Sequence, residues 1–262
     1  MSPNNRPYVL AEATWKQVKN GDYSLAILPW GATEAHNYHL PYGTDNYLAE
    51  AVAFEAARKA WEADARPLVL PTIPYGVNTG QMEVKFCMNM NPSTQLAVLK
   101  DIVQVLDHHS LRKLVILNAH GGNHFKQIIR ELSLLYPKVF ICTINWWQVT
   151  DPKPYFETPG DHAGELETAA MMHVEPHLVF ELNEAGEGGA VNFKINALKE
   201  GWASAQRQWH KVTKDTGVGD PKASTSLKGE KFVDATTSLI ANFFKDLHEA
   251  DVDDMYEREP GV

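Results

Sequence analysis

KLVILNAHGGNHFKQIIRELSLLYPKVFICTINW, residues 113–146, holds a complete strand–helix–strand unit. KLVILN is a short apolar run. Ile128, Ile129, Leu132 and Leu135 then recur at helical spacing, which predicts a helix from about His124 to Tyr136 with one buried face. KVFICTINW returns to an apolar run. Strands that are apolar nearly throughout have no face to offer water, so they belong in a sheet covered on both sides. The alternation extends upstream through YSLAILPW, a helix from about Asn46 to Asp64, RPLVLPTIP and a helix from about Ser93 to His109. Downstream a helix begins near Gly164 and the last covers about Phe232 to His248. Strand–helix alternation of this kind predicts an α/β fold with a mainly parallel sheet.

Between Glu184 and Gly229 the composition turns polar and Gly-rich, with EAGEGG and TGVGDPKAST as turn clusters. That stretch reads as an excursion from the sheet within a single domain spanning 1–262. The tail DVDDMYEREPGV is acidic and expected to fray.

A chain of 262 residues can bury roughly three quarters of its unfolded surface, so it needs no disulfide or metal to fold. A metal here would serve chemistry. The 24 basic and 33 acidic residues give a net charge of −9, which repels nucleic acid and anionic membranes and leaves small neutral or cationic ligands unhindered; a small-molecule substrate is the expected partner. Cys87 and Cys142 alone cannot build a disulfide framework or a thiolate zinc site. MSPNNRPYVLAEATW lacks the apolar core of a signal peptide, and no run of about 18 apolar residues occurs. A soluble cytoplasmic protein is expected.

Three polar clusters fall where strands should end: Glu34, His36, His39 and Asp45; Asn118, His120 and Asn123; and Asp161, His162, Glu165 and Glu167. In open α/β sheets ligands bind at the carboxyl ends of parallel strands, so distant segments converge on one crevice. Carboxylates with imidazoles suit zinc, manganese, iron or cobalt, which accept mixed N and O donors. Glu34 and His36 share a face if the backbone is extended there. Asp45 opens a helix whose positive end favours an ionised carboxylate, and its two oxygens can bridge two cations. His120 precedes Gly121 and Gly122, which let the backbone turn sharply. No P-loop or full G-x-G-x-x-G follows, so a phosphate cradle is the weaker reading. His162 and Glu165 are three apart and share a face if helical, which favours Glu165 over Glu167 in the crevice. His39, His124, His108 and His109 are assigned structural roles. Tyr75, Asn78 and Gln81, with Trp146 or Trp147, lie on loops expected to line the crevice and contact substrate.

WGATEAHNYHLPYGTD, NAHGGN, DHAGELETA and GVGDPKASTSLKG, in this order and spacing, resemble the creatininase (creatinine amidohydrolase) family over about Ala26 to Gly229. The resemblance implies a three-layer α/β/α sandwich, assembly as a hexamer, and two divalent metal ions per subunit. It puts Glu34, His36, Asp45 and His120 on ligand positions, with Asp45 as the bridge. It puts His162 on the catalytic imidazole and Asp161 on its acidic neighbour. Creatinine-cleaving members carry a ligand Glu two residues after the metal-binding His, where this chain has Gly122; Glu165 is the substitute expected. AHNYHLPYGTDN and IPYGVNTGQ look most like the branch that opens the ring of 3-dehydro-scyllo-inosose. The expected activity is hydrolysis of a small cyclic substrate by water activated on the cations, which cuts a C–C bond of a cyclic diketone or, as the alternative, the C–N bond of a cyclic amide or formamide. A non-catalytic metal- or nucleotide-binding module is the reading from another class.

Overall fold

The computed structural model describes residues 6–257. The expectations for the first five residues and for the end of the acidic tail lie outside them. Four strands, β1 (Leu25–Trp30), β2 (Pro67–Val69), β3 (Lys113–Asn118) and β4 (Phe140–Asn145), form one sheet in the order β2-β1-β3-β4. All pairs are parallel, with Ile27 opposite both Val69 and Val115, and Val115 opposite Cys142. Five long helices cover the sheet: α1 (Thr44–Glu62), α2 (Pro92–His108), α3 (Phe125–Leu135), α4 (Glu165–Val174) and α5 (Ser226–Glu249).

The strands explain the three layers. Successive side chains of a strand point to opposite faces. Leu25, Ile27, Val115 and Leu117 enter one core with α1, α4 and α5. Ala26, Leu28, Trp30, Leu114 and Ile116 enter the other with α2 and α3. Both faces are covered along β1, β2 and β3, as the unbroken apolar runs required, while the edge strand β4 is only partly buried.

Two elements depart from the sequence reading. RPLVLPTIP yields only a three-residue strand, because Pro67, Pro71 and Pro74 lack the N–H that a longer ladder needs. Beyond it the chain still tracks β1, through Leu70 N–H to Ile27 O at 2.8 Å and Ile73 N–H to Pro29 O at 3.0 Å. The last helix starts six residues early, at Ser226, where the Thr225 side chain accepts from Lys228 N–H and caps it. The polar sequence SLKGEK conceals that first turn and a half.

The strand order reverses at β1, which has β2 on one side and β3 on the other. A crevice forms outside the carboxyl ends of β1 and β3 at such a switch point. The loops 31–43 and 119–124 meet there.

Candidate metal centre

Glu34 and His36 leave β1 on a loop folded against itself by Glu34 N–H to Tyr42 O at 3.0 Å and a bridge between His36 and Leu40. Asp45 is the second residue of α1, in the positive first turn. His120 follows β3, its loop fastened by asparagines: His120 N–H donates to Asn118 Oδ1 at 3.1 Å, Asn118 Nδ2 donates to His120 O at 2.9 Å, and Asn123 Nδ2 donates to Asn118 Oδ1 at 3.0 Å. All four ligand candidates are buried.

Each imidazole gives one ring nitrogen to a backbone carbonyl. His36 Nδ1 lies 3.1 Å from Glu34 O, His120 Nε2 3.1 Å from Val77 O, and His162 Nε2 2.8 Å from Ala35 O. A carbonyl only accepts, so those nitrogens carry the protons and the opposite nitrogens turn inward with lone pairs. The inward atoms meet carboxylates: His36 Nε2 is 3.0 Å from Asp45 Oδ1, and His120 Nδ1 is 2.9 Å from Glu34 Oε1 and 3.2 Å from Asp45 Oδ2. His162 Nδ1 is 3.7 Å from Glu34 Oε1.

Lone pairs facing carboxylates repel unless a positive charge lies between them. Burial alone would pull His36 down, but Asp45 beside it wins and raises its pKa to about 10. His120 is raised well above its ordinary value against the same burial, by Glu34 and Asp45. Burial pushes Glu34 and Asp45 up, but the imidazoles outweigh it and hold both below the usual carboxylate range. Protons here do what a divalent cation does better. Asp45 Oδ2 is buried and, apart from the 3.2 Å approach of His120 Nδ1, has no hydrogen-bond partner, which leaves acceptor capacity for a cation. Glu34, Asp45 and His120 make one possible ligand trio and His36, Asp45 and Glu167 another, each with donor atoms within 4.8 Å; a third groups Glu34, His36 and His162. The first two trios share Asp45.

Glu165 does not join them. Its carboxylate accepts from Thr158 N–H at 2.8 Å and from the Lys228 ammonium, and Glu167 takes the place expected of it. His162 lies outside the helix, so it and Glu165 do not share a helical face. α4 starts at Glu165, and Ala163 has φ 50°. His162 is instead held by pairing with Val218, and its cluster follows no strand. Glu167, half-buried beside like-charged Asp45, has its pKa raised, mainly by desolvation. Gly122 is obligatory: a Cβ there would strike Val77 O and the His120 ring. No glutamate fits at that position.

Other expectations are corrected by their contacts. Asp161 does not touch His162; it is exposed and accepts from Arg207 Nη1 at 2.9 Å. Trp146 is buried in the core against Phe232, while Trp147 lines the cavity. Tyr75 is turned outward and offers only its carbonyl, to the Trp30 indole. Asn78 and Gln81 line the cavity, but their amides are engaged. Asn78 Nδ2 donates to Met88 O at 3.1 Å, and Gln81 Nε2 donates to Glu34 Oε2 while its oxygen lies 3.3 Å from Cys87 Sγ. His39 is a buried structural residue bonded to Thr168 Oγ1 at 2.8 Å, and burial lowers its pKa to about 4.

A cavity of about 650 Å³ rises from the metal candidates. The excursion supplies much of its rim through Ser204–Arg207 and Trp209, which the sequence reading missed. Trp209 stands edge-on to His162 at 5.4 Å between ring centroids, and the His36 ring lies 4.2 Å from the same imidazole. The one available signal was an Arg and a Trp, two apart, in an otherwise polar stretch.

The sequence matches the family described as Creatininase: Creatinine amidohydrolase over residues 11–244. The chain belongs to the creatininase family. Relatives in this family are hydrolases. A mycofactocin precursor peptide peptidase of Mycobacterium tuberculosis is 27% identical over 230 residues, covering 85% of this chain and 84% of its own. A creatinine amidohydrolase of Pseudomonas putida is 27% identical over 195 residues, covering 65% and 73%. A crystal structure from Bacteroides fragilis, provisionally described as a creatinine amidohydrolase, superposes with TM-score 0.91 and 44% identity over 97% of this chain and 100% of that one. Creatininases solved in zinc–zinc and manganese forms share the fold, with TM-scores 0.76 and 0.74 at 22% and 23% identity, covering 94% and 93% of this chain and 100% and 99% of theirs. The three-layer architecture expected from the resemblance is therefore the family's fold.

Proposed function

We propose that this creatininase-family hydrolase holds two divalent cations and adds water across the carbonyl of a small cyclic substrate. The observation that carries the reading is the pair of trios sharing Asp45 at the floor of one cavity. Glu34, Asp45 and His120 would hold one cation; His36, Asp45 and Glu167 the other. Zinc and manganese suit this donor set, and creatininases have been solved with each. Such cations generate a nucleophilic water near neutral pH and polarise a carbonyl.

The chain's own residues handle the protons. His162 is steered by the Ala35 carbonyl on one nitrogen, which leaves the Nδ1 lone pair over the cluster to take the proton released by the attacking water and deliver it to the leaving atom. That atom is nitrogen in a cyclic amide and carbon in a cyclic β-diketone such as 3-dehydro-scyllo-inosose. The amidohydrolase and peptidase relatives favour C–N cleavage; the motif likeness to the inosose-opening branch favours C–C cleavage. Exposed Tyr38, Met82 and Phe86 are apolar surface suited to contacts between copies, in keeping with a homo-oligomer.

Elemental analysis of purified protein, followed by assays of the metal-loaded enzyme on lactams, formamides and cyclic diketones, tests the reading. Turnover on one class identifies the bond. Bound metal with no turnover on any class overturns it. His162→Ala should cut turnover by ~10²-fold or more at unchanged metal content, and unchanged turnover removes His162 from the proton path.

A further inference from the structure

Among the described residues that line the cavity, Arg207 is the one arginine or lysine, facing the carboxylates of Glu34, Asp45, Asp161 and Glu167. Its guanidinium lies over the Trp209 ring at 4.6 Å, and that ring meets His162 edge-on at 5.4 Å. The fork is therefore fixed on the wall that carries the imidazole. One nitrogen, Nη1, bonds Asp161 at 2.9 Å; no other hydrogen bond from this guanidinium to the described residues is formed.

The side chain is not needed to hold its loop. Thr79 Oγ1 bonds Gln206 Oε1 at 3.2 Å and the Trp209 indole N–H donates to Thr216 O at 3.0 Å. Gly80 packs so closely on the Arg207 carbonyl that a Cβ would collide with it. The Arg207–Asp161 pair is itself weak. The two side chains are 43% and 58% exposed, and water screens such pairs strongly. A planar fork stacked on an aromatic ring, with exposed donors and a loosely held partner, is built to exchange one carboxylate for another.

We propose that Arg207 selects substrates bearing a carboxylate, which displaces Asp161 and is held by the Trp209-backed guanidinium while the scissile carbonyl reaches the floor. This rests on the reading that hydrolysis occurs at the Asp45 cluster.

The test is binding of 5-oxoproline, a lactam with a carboxylate, and its neutral amide to the metal-loaded, full-length protein by calorimetry or ligand-observed NMR. The acid should bind more tightly than the amide. Arg207→Gln should weaken the acid by about tenfold or more, as loss of a charge-assisted hydrogen bond does, and leave the amide unchanged. Arg207→Lys should recover only part of the loss, and Asp161→Asn should tighten the acid. Absence of Arg207-dependent binding of the acid, or equal weakening of both ligands, overturns the proposal. Arg207-dependent preference with no turnover on any lactam, formamide or cyclic diketone overturns the proposed reaction alone; lactam turnover blind to the carboxylate overturns this selection alone.

Discussion

The floor and the rim of the cavity are built on different principles. On the floor, Glu34, His36 and His120 hang from loops that close the ends of adjacent parallel strands, and each imidazole is locked by a backbone carbonyl. On the rim, Ser204–Trp209 belongs to an excursion that adds no strand to the sheet and is tied down by isolated bonds such as Thr79 to Gln206. The floor is over-determined and suited to holding charge in fixed geometry; the rim is lightly held and suited to discriminating among ligands.

Asp45→Asn, which touches both trios, should break the floor most severely. Both cations should be lost by elemental analysis and turnover should fall to background, while retention of two cations would remove Asp45 as the bridge. Glu167→Gln should lose one cation of two. Glu165→Gln should keep both and instead lower stability by roughly 2 kcal/mol, since it uncouples the buried carboxylate from partly exposed Lys228; for a chain of this size that is a fall of about 4–8 °C in Tm. Metal loss in Glu165→Gln but not in Glu167→Gln would reverse the assignment.

The floor should also answer to pH. His36 rises from 6.5 to about 10 in the folded, metal-free protein. A raised folded-state pKa gives stability that is complete below 6.5 and lost as pH climbs through about 10. Metal-free protein should therefore lose thermal stability between those limits, and the loaded protein should not. Loading near neutral pH should release protons, measurable by calorimetry in buffers of different ionisation enthalpy. No proton release would mean that His36 is neutral before the metal arrives. The smallest effect belongs to the rim: Thr79→Val removes one exposed hydrogen bond, worth about 1 kcal/mol, and should raise KM about fivefold with kcat and metal content unchanged.

The sheet was legible because consecutive apolar residues in β1 and β3 announce strands covered on both faces, and the helices because their apolar spacing is local. Prolines shortened β2, and a polar first turn hid the start of α5. At the site, Glu34, His36, Asp45 and His120 were legible because each sits within a few residues of a strand end or helix start, where direction follows from the element. Glu165 was chosen over Glu167 on helical spacing, and one residue in the left-handed region, Ala163, invalidated that spacing. Asp161 beside His162 in sequence points at Arg207 in space.

The sequence by itself determined the layers, the crevice at the β1–β3 ends and the donor chemistry of the site, because periodicity and strand termini are local properties of the chain. Only the tertiary structure decided which glutamate faces Asp45, which tryptophan lines the cavity, and that residues 204–209 close over it. Those choices depend on where a loop turns and on contacts between segments far apart in the chain, and no local spacing encodes them.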